Sequence, residues 1–179
     1  MSTGVREARA ADVPAVVRLV HELAAYEREP ESCTLTEPDL HAALFGPAPA
    51  LFCHVAQVDD EVVGCALWFV NFSTWTGTHG IHLEDLYVSP AHRGARLGRA
   101  LLARLAQLCV ERGYARLEWA VLDWNTPAIG FYQALGAREL TDWTVFRLSD
   151  EPLAALTGLT RAPGPSSPAG PSTTAGSAR

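Results

Sequence analysis

The sequence predicts an α/β (α+β) protein with a mixed, mostly antiparallel sheet flanked by helices. Two apolar runs, residues 51–58 and 61–70, are separated only by Asp59-Asp60, the signature of a hairpin. The strand-like run 81–88 is followed by a helical apolar stripe and a further strand-like run at 116–122, which reads as one β-α-β crossover. With 179 residues, 48% of them hydrophobic, the chain can bury one substantial core.

Each element follows from its own residues. Residues 5–8 form a first strand. Asp12 is a helix N-cap, Pro14 is tolerated in the first turn, and Val16, Val17, Leu19, Val20, Leu23 and Ala24 supply the buried stripe. Thr36-Glu37-Pro38-Asp39 resembles a capping box, and the helix it opens stops near Gly46. The hairpin comes next, then a loop over residues 71–80, then the strand 81–88. Leu101, Leu102, Leu105, Leu108 and Cys109 mark a helix that ends near Gly113. After the strand 116–122, Asn125 caps a short helix with Pro127 in its first turn, ending near Gly136. Residues 143–148 are expected as a last strand, giving the order β-α-α-β-β-β-α-β-α-β. From residue 158 the chain turns to Pro, Gly, Ser, Thr and Ala, too poor in large apolar groups to offset the entropy of ordering. One domain over residues 1–157 and a disordered tail over 158–179 are therefore expected.

The formal net charge of −6 argues against nucleic acid as a partner, because phosphate binding needs clustered cations. No run reaches membrane-spanning length and the start of the chain lacks a signal-peptide pattern, so a cytoplasmic protein without membrane contact is expected. Cys33, Cys53, Cys65 and Cys109 have no metal-ligand spacing, nor do the six histidines, and no metal is expected.

The chemistry concentrates in residues 83–99. A strand carrying the carboxylates Glu84 and Asp85 runs into a glycine-spaced loop that opens a helix. Such a loop aims several backbone N–H groups at one point, and the helix start adds partial positive charge, which together suit a phosphate or diphosphate. It is not a Walker loop, lacking Gly-Lys-Ser/Thr, and it is a poor dinucleotide fingerprint. Alternation would put Glu84 and Asp85 on opposite faces unless a bulge intervenes.

Arg93-Gly94-x-x-x-Gly98 after Leu-Tyr-Val-x-Pro resembles the acetyl-CoA loop of the GNAT superfamily of N-acetyltransferases. Residues 120–125 with Phe131-Tyr132-x-x-Leu135-Gly136-Ala137 resemble that superfamily's later strand and helix. Glu22-Leu23-Ala24-Ala25-Tyr26-Glu27, and Phe72-Ser73-Thr74-Trp75-Thr76-Gly77 ahead of Leu83-Glu84-Asp85, are similar to the spermidine/spermine acetyltransferase branch, with its thialysine-acetylating members. One departure stands out: Arg96 occupies a loop position where the family usually has glycine.

The resemblance implies direct acetyl transfer from acetyl-CoA to a primary amine, in a ternary complex and without an acyl-enzyme. The acceptor it implies is a small di- or polyamine or a lysine-like amino acid, and the enzyme a homodimer. By the same resemblance, Leu86, Tyr87 and Val88 lie along the pantetheine arm. Arg93, Gly94, Ala95, Arg96, Leu97, Gly98 and Arg99 cradle the diphosphate, and Asn125, Thr126, Pro127 and Ala128 contact coenzyme A from the other side; Asn125 also reads simply as a helix cap. Glu84 is implied as general base through water, since an amine of pKa ~10 must lose a proton before it attacks. Tyr132 is implied as general acid to the departing thiolate. Tyr26, Glu27, Asp85, Glu118, Trp119 and Ala120 line the acceptor site, and Trp75 packs over an aliphatic chain or a cation. Two alternatives remain open: the same chemistry on a protein amine or an aminoglycoside, or a non-catalytic acyl-CoA-binding regulatory module.

Overall fold

The computed structural model describes residues 3–158, so the expected tail beyond them lies outside the described residues. The chain divides into two compact units, Met1–Thr126 and Pro127–Arg179.

The first unit holds β1 (Thr3–Glu7), α1 (Val13–Tyr26), α2 (Glu37–Phe45), β2 (Phe52–Val58), β3 (Glu61–Ser73), β4 (Thr78–Val88), α3 (Leu97–Arg112) and β5 (Leu117–Glu118). These strands form one five-stranded sheet in chain order. Neighbours are antiparallel except β4 and β5, which the α3 crossover makes parallel. The fold class read from the sequence is the one observed. No described helix is long and apolar enough to cross a membrane.

Val13, Val16 and Leu19 of α1, with Leu40 and Leu44 of α2, pack on Cys53, Val55, Cys65, Leu67 and Tyr87 of the sheet. Alternation sends His54, Ala66 and Trp68 to the opposite face, where Arg112 of α3 lies over the Trp68 ring. Asp12 stands at the N-cap of α1 but makes no capping bond to it. It accepts instead from the Arg9 N–H at 2.6 Å and pairs with both terminal nitrogens of Arg6, which holds its carboxyl below the usual range. Thr36 caps α2 through the Asp39 N–H, as its sequence predicts.

Three expected elements differ. Residues 71–80 are not a loop: Asn71, Phe72 and Ser73 pair with Gly80, His79 and Thr78, and only the tip turns, where Gly77 has φ 66°. The strand expected over 116–122 shortens to Leu117–Glu118, because the ladder with β4 holds only at Ile81 and His82. Residues 143–148 are no strand either: they carry no regular secondary structure. Among the described residues of the second unit the regular elements are helices: α4 (Thr126–Gln133), which opens at the unit boundary, and α5 (Asp150–Gly158).

Gly64 is required by packing. A Cβ there would sit 2.9 Å from the Tyr87 carbonyl oxygen and 3.0 Å from Val88 Cγ2. Gly64→Ala is therefore expected to destabilise the protein by about 1–3 kcal/mol, read as a lowered urea midpoint.

Candidate active site

The site is built on β4. On β3, Leu67 pairs with Asp85 while the next residue, Trp68, pairs with Leu83, so Glu84 is an extra, bulged residue. The bulge inverts the alternation beyond it. His82 (opposite Phe69) and Asp85 (opposite Leu67) thereby share the face covered by α1. Glu84 belongs to the same side, its Oε2 lying 4.0 Å from His82 Nε2. The two carboxylates that simple alternation would separate are brought together.

Asp85 is largely buried, and desolvation, followed by the charges of Glu84 and Glu27, pushes its carboxyl up to about 6. Burial at the end of α1 also raises Glu27. Asp85 therefore feels the charges of both Glu84 and Glu27, and a cationic ligand is what such a group lacks. Beside them, the Tyr26 hydroxyl donates to Asn125 Oδ1 at 3.1 Å, and its ring lies 6.0 Å from that of Trp124. Asn125, read from sequence as a coenzyme contact or a cap, is thus tied to the first helix.

The anion loop has the form its glycine spacing predicts. Gly94 (φ 84°) and Arg96 (φ 60°) both adopt left-handed backbone, and Arg96 stands at the N-cap of α3 without capping it through its side chain. A non-glycine residue held there costs on the order of 1 kcal/mol. The N–H groups of the first turn, Leu97, Gly98 and Arg99, have no carbonyl within the helix to meet. A Cβ on Gly94 would meet nothing within 4 Å, so backbone conformation, rather than crowding, calls for glycine, and the space over the loop is open.

Arg93 turns away from that loop. Its Nε donates to the Val88 carbonyl at 3.2 Å, and its guanidinium lies 5.1 Å from the Tyr26 ring centroid and 5.6 Å from that of Tyr87.

β4 and β5 part company above His82. Leu86, Tyr87 and Val88 pair with Ala66, Cys65 and Gly64 on one side, while the ladder to β5 does not reach them. Their β5-side edge can accept an extended chain as an added strand, which is what a pantetheine arm needs. Open edge, glycine loop and helix start all fit acetyl-CoA.

The other expected residues lie on other segments of the chain. Glu118, on β5, is paired with Arg116 Nε at 3.0 Å and accepts from the Asn71 side-chain amide. Trp119 and Ala120 follow it outside regular structure. Trp75 lies at the exposed tip of the β3–β4 hairpin, and β4 carries it roughly 20 Å from Glu84 at the usual strand rise. Trp75 thus stands away from the carboxylates of its own chain. In the second unit, Pro127, Ala128 and Tyr132 belong to α4, with Tyr132 half-buried beside Phe131. His82, Asn71 and Arg116 were not expected at the site; the His82-x-Glu84 spacing was the available signal.

Comparison with known proteins agrees with this architecture. The profile of the acetyltransferase (GNAT) family matches residues 17–137. Thialysine N-epsilon-acetyltransferase of Bos taurus is 37% identical over 165 residues, covering 86% of this chain and 96% of its own. Spermidine/spermine N(1)-acetyltransferase-like protein 1 of Homo sapiens is 34% identical over 159 residues, covering 83% of this chain and 23% of the human protein. An integron cassette protein of V. cholerae shares the fold with a TM-score of 0.74 at 24% identity, covering 88% of this chain and 98% of its own. With a family match across most of the first unit and a relative aligned over nearly its whole length, the chain belongs to the GNAT acetyltransferase family and is an N-acetyltransferase.

Proposed function

We propose that the enzyme acetylates a primary amine of a small di- or polyamine or of a lysine-like amino acid. The observation that carries this reading is the acidic group at the β4 bulge, where burial first, and then the charges of Glu84 and Glu27, raise Asp85 to about 6. Such a group attracts an ammonium and pays part of the cost of stripping its hydration. The names of the bovine and human relatives support the same acceptor class.

Acetyl-CoA, when bound, supplies the activated acetyl group as a thioester. The chain's own residues do the rest. Main-chain N–H groups from Gly94 to Arg99 hold the diphosphate, while Leu86, Tyr87 and Val88 align the pantetheine arm along the open edge. Asn125, Thr126, Pro127 and Ala128 complete the coenzyme site.

Glu84, the more exposed carboxylate of the bulged pair, takes the proton from the acceptor ammonium through water. Asp85, Glu27 and Tyr26 hold the acceptor's charge, with Glu118, Trp119 and Ala120 along the neighbouring strand. Tyr132 protonates the departing thiolate, a modest demand for a phenol since the thiol's own pKa is ~8.5. A homodimer, a cytoplasmic location and a catalytic domain over residues 1–157 belong to this reading, supported by the resemblance and the sequence.

The test is an acceptor panel with acetyl-CoA, reading free thiol. Diamines, polyamines, thialysine and lysine analogues are expected to turn over, and spermidine and thialysine to compete. Turnover confined to aminoglycosides or to protein amines would contradict the reading.

A further inference from the structure

His82 has no part in the roles above, yet its ring lies between two carboxylates. Nε2 is 4.0 Å from Glu84 Oε2 and Nδ1 is 4.0 Å from Glu118 Oε1. The ring stacks on Phe69, with centroids 4.8 Å apart and planes at 26°, which fixes its orientation. Each element beside it contributes: Phe69 and Asn71 from β3, Glu84 from β4 itself, Glu118 from β5, and Arg116 just before β5. Arg116 and Asn71 grip Glu118, so the far carboxylate is held while the near one belongs to the bulge. His82 and Glu84, two residues apart on β4, share a side, and the bulge adds Asp85 to it.

An imidazole can accept a proton at one nitrogen and release one from the other. We propose that His82 is a positioning residue that relays the acceptor's proton from Glu84 to Glu118 and on to solvent. The proposal rests on the assignment of Glu84 as the base. In the step, an acceptor N–H bond breaks as a Glu84 O–H bond forms. That O–H bond breaks as Nε2–H forms, and Nδ1–H breaks as Glu118 or water takes the proton. The amine keeps its electron pair for the acetyl carbon, and His82, left as its other tautomer, resets by exchange with water. The present separations exceed hydrogen-bond length; a small rotation of the exposed Glu84 carboxylate closes the first when the acceptor binds, and Nδ1 gives its proton to water beside the held Glu118.

The experiment uses the whole chain with a turned-over amine and compares His82→Ala, His82→Gln and Glu84→Gln. His82→Ala is expected to lower kcat about tenfold, as loss of a supporting partner does, with both KM values within about twofold. Imidazole in the buffer should restore most of the lost rate. His82→Gln keeps a polar side chain beside Phe69 but no titratable nitrogen; it should show the same loss and no rescue. The relay is overturned if His82→Gln matches the wild type across the pH profile, or if imidazole fails to revive a folded His82→Ala. Should Glu84→Gln lose turnover while both His82 variants keep it, the relay alone is wrong. Should Glu84→Gln itself turn over normally, the underlying assignment is wrong and the relay falls with it.

Discussion

Glu84→Gln is expected to lower kcat by about 100-fold or more at neutral pH while leaving the KM for acetyl-CoA unchanged. The glutamine keeps the shape of the bulge and removes only the proton acceptor. An acceptor amine of pKa ~10 is nearly all protonated at pH 7, so without a base the reactive fraction is small. The deficit should shrink as pH rises toward ~10, because water then removes the proton that Glu84 no longer takes. The Tyr132→Phe loss, about tenfold, should run the same way with pH, fading above the thiol pKa of ~8.5, where the leaving thiolate needs no proton. Thiol release across a pH series measures both. If both variants retain full turnover with a good acceptor, the assigned roles are wrong.

Asp85→Asn is expected to raise stability and lower activity together. The Asp85 carboxyl titrates near 6 when folded, against 3.8 as its ordinary value. An acid raised on folding binds its proton more tightly in the native state, so stability falls as pH climbs from about 4 to 6. Above the folded value the ionised group costs on the order of 3 kcal/mol, which asparagine removes. The variant should therefore unfold at higher temperature than the wild type at pH 7.5, with the difference vanishing near pH 4. The same change removes one of the charges proposed to hold the acceptor, so its KM should rise about tenfold or more at pH 7.5. Equal melting temperatures at both pH values would show that Asp85 pays no desolvation cost. Wild-type acceptor affinity should likewise weaken as pH drops through 6, where Asp85 takes up its proton.

Much of this was legible in the residues. Periodicity located α1 and α3, a capping signature located α2, and the Asp59-Asp60 turn located the central hairpin. Glycine spacing before an apolar helical stripe pointed to the anion loop, while the left-handed backbone at Arg96 came from the structure. Composition misled where local chemistry and tertiary pairing disagree. The Ser-, Thr- and Gly-rich stretch 71–80 reads as a loop, but its flanks are held by cross-strand bonds that local propensity does not record. Residues 143–148 read as a strand, yet they carry no regular secondary structure. The strand at 116–122 shortens because β4 leaves the ladder at its bulge, a property of its partner's register.

The site divides in the same way. Glu84 and Asp85 could be named from sequence, yet their sharing of a face depends on Leu67 and Trp68 across the ladder. Arg93 is folded back onto Tyr26 and Tyr87, and His82 is bracketed by Glu118, through contacts between residues far apart in the chain. Trp75 carried a motif match but stands at the hairpin tip, where strand length removes it from the carboxylates.

The central claim is that an amine loses its proton at the β4 bulge while main-chain amides hold the diphosphate of its acetyl donor nearby. A crystal structure with coenzyme A and a bound diamine tests it most directly. The diphosphate oxygens should accept from N–H groups between Gly94 and Arg99, and an amine nitrogen should reach Glu84 directly or through one water. A diphosphate seated away from this loop, or an amine bound far from Glu84 and Asp85, would contradict it.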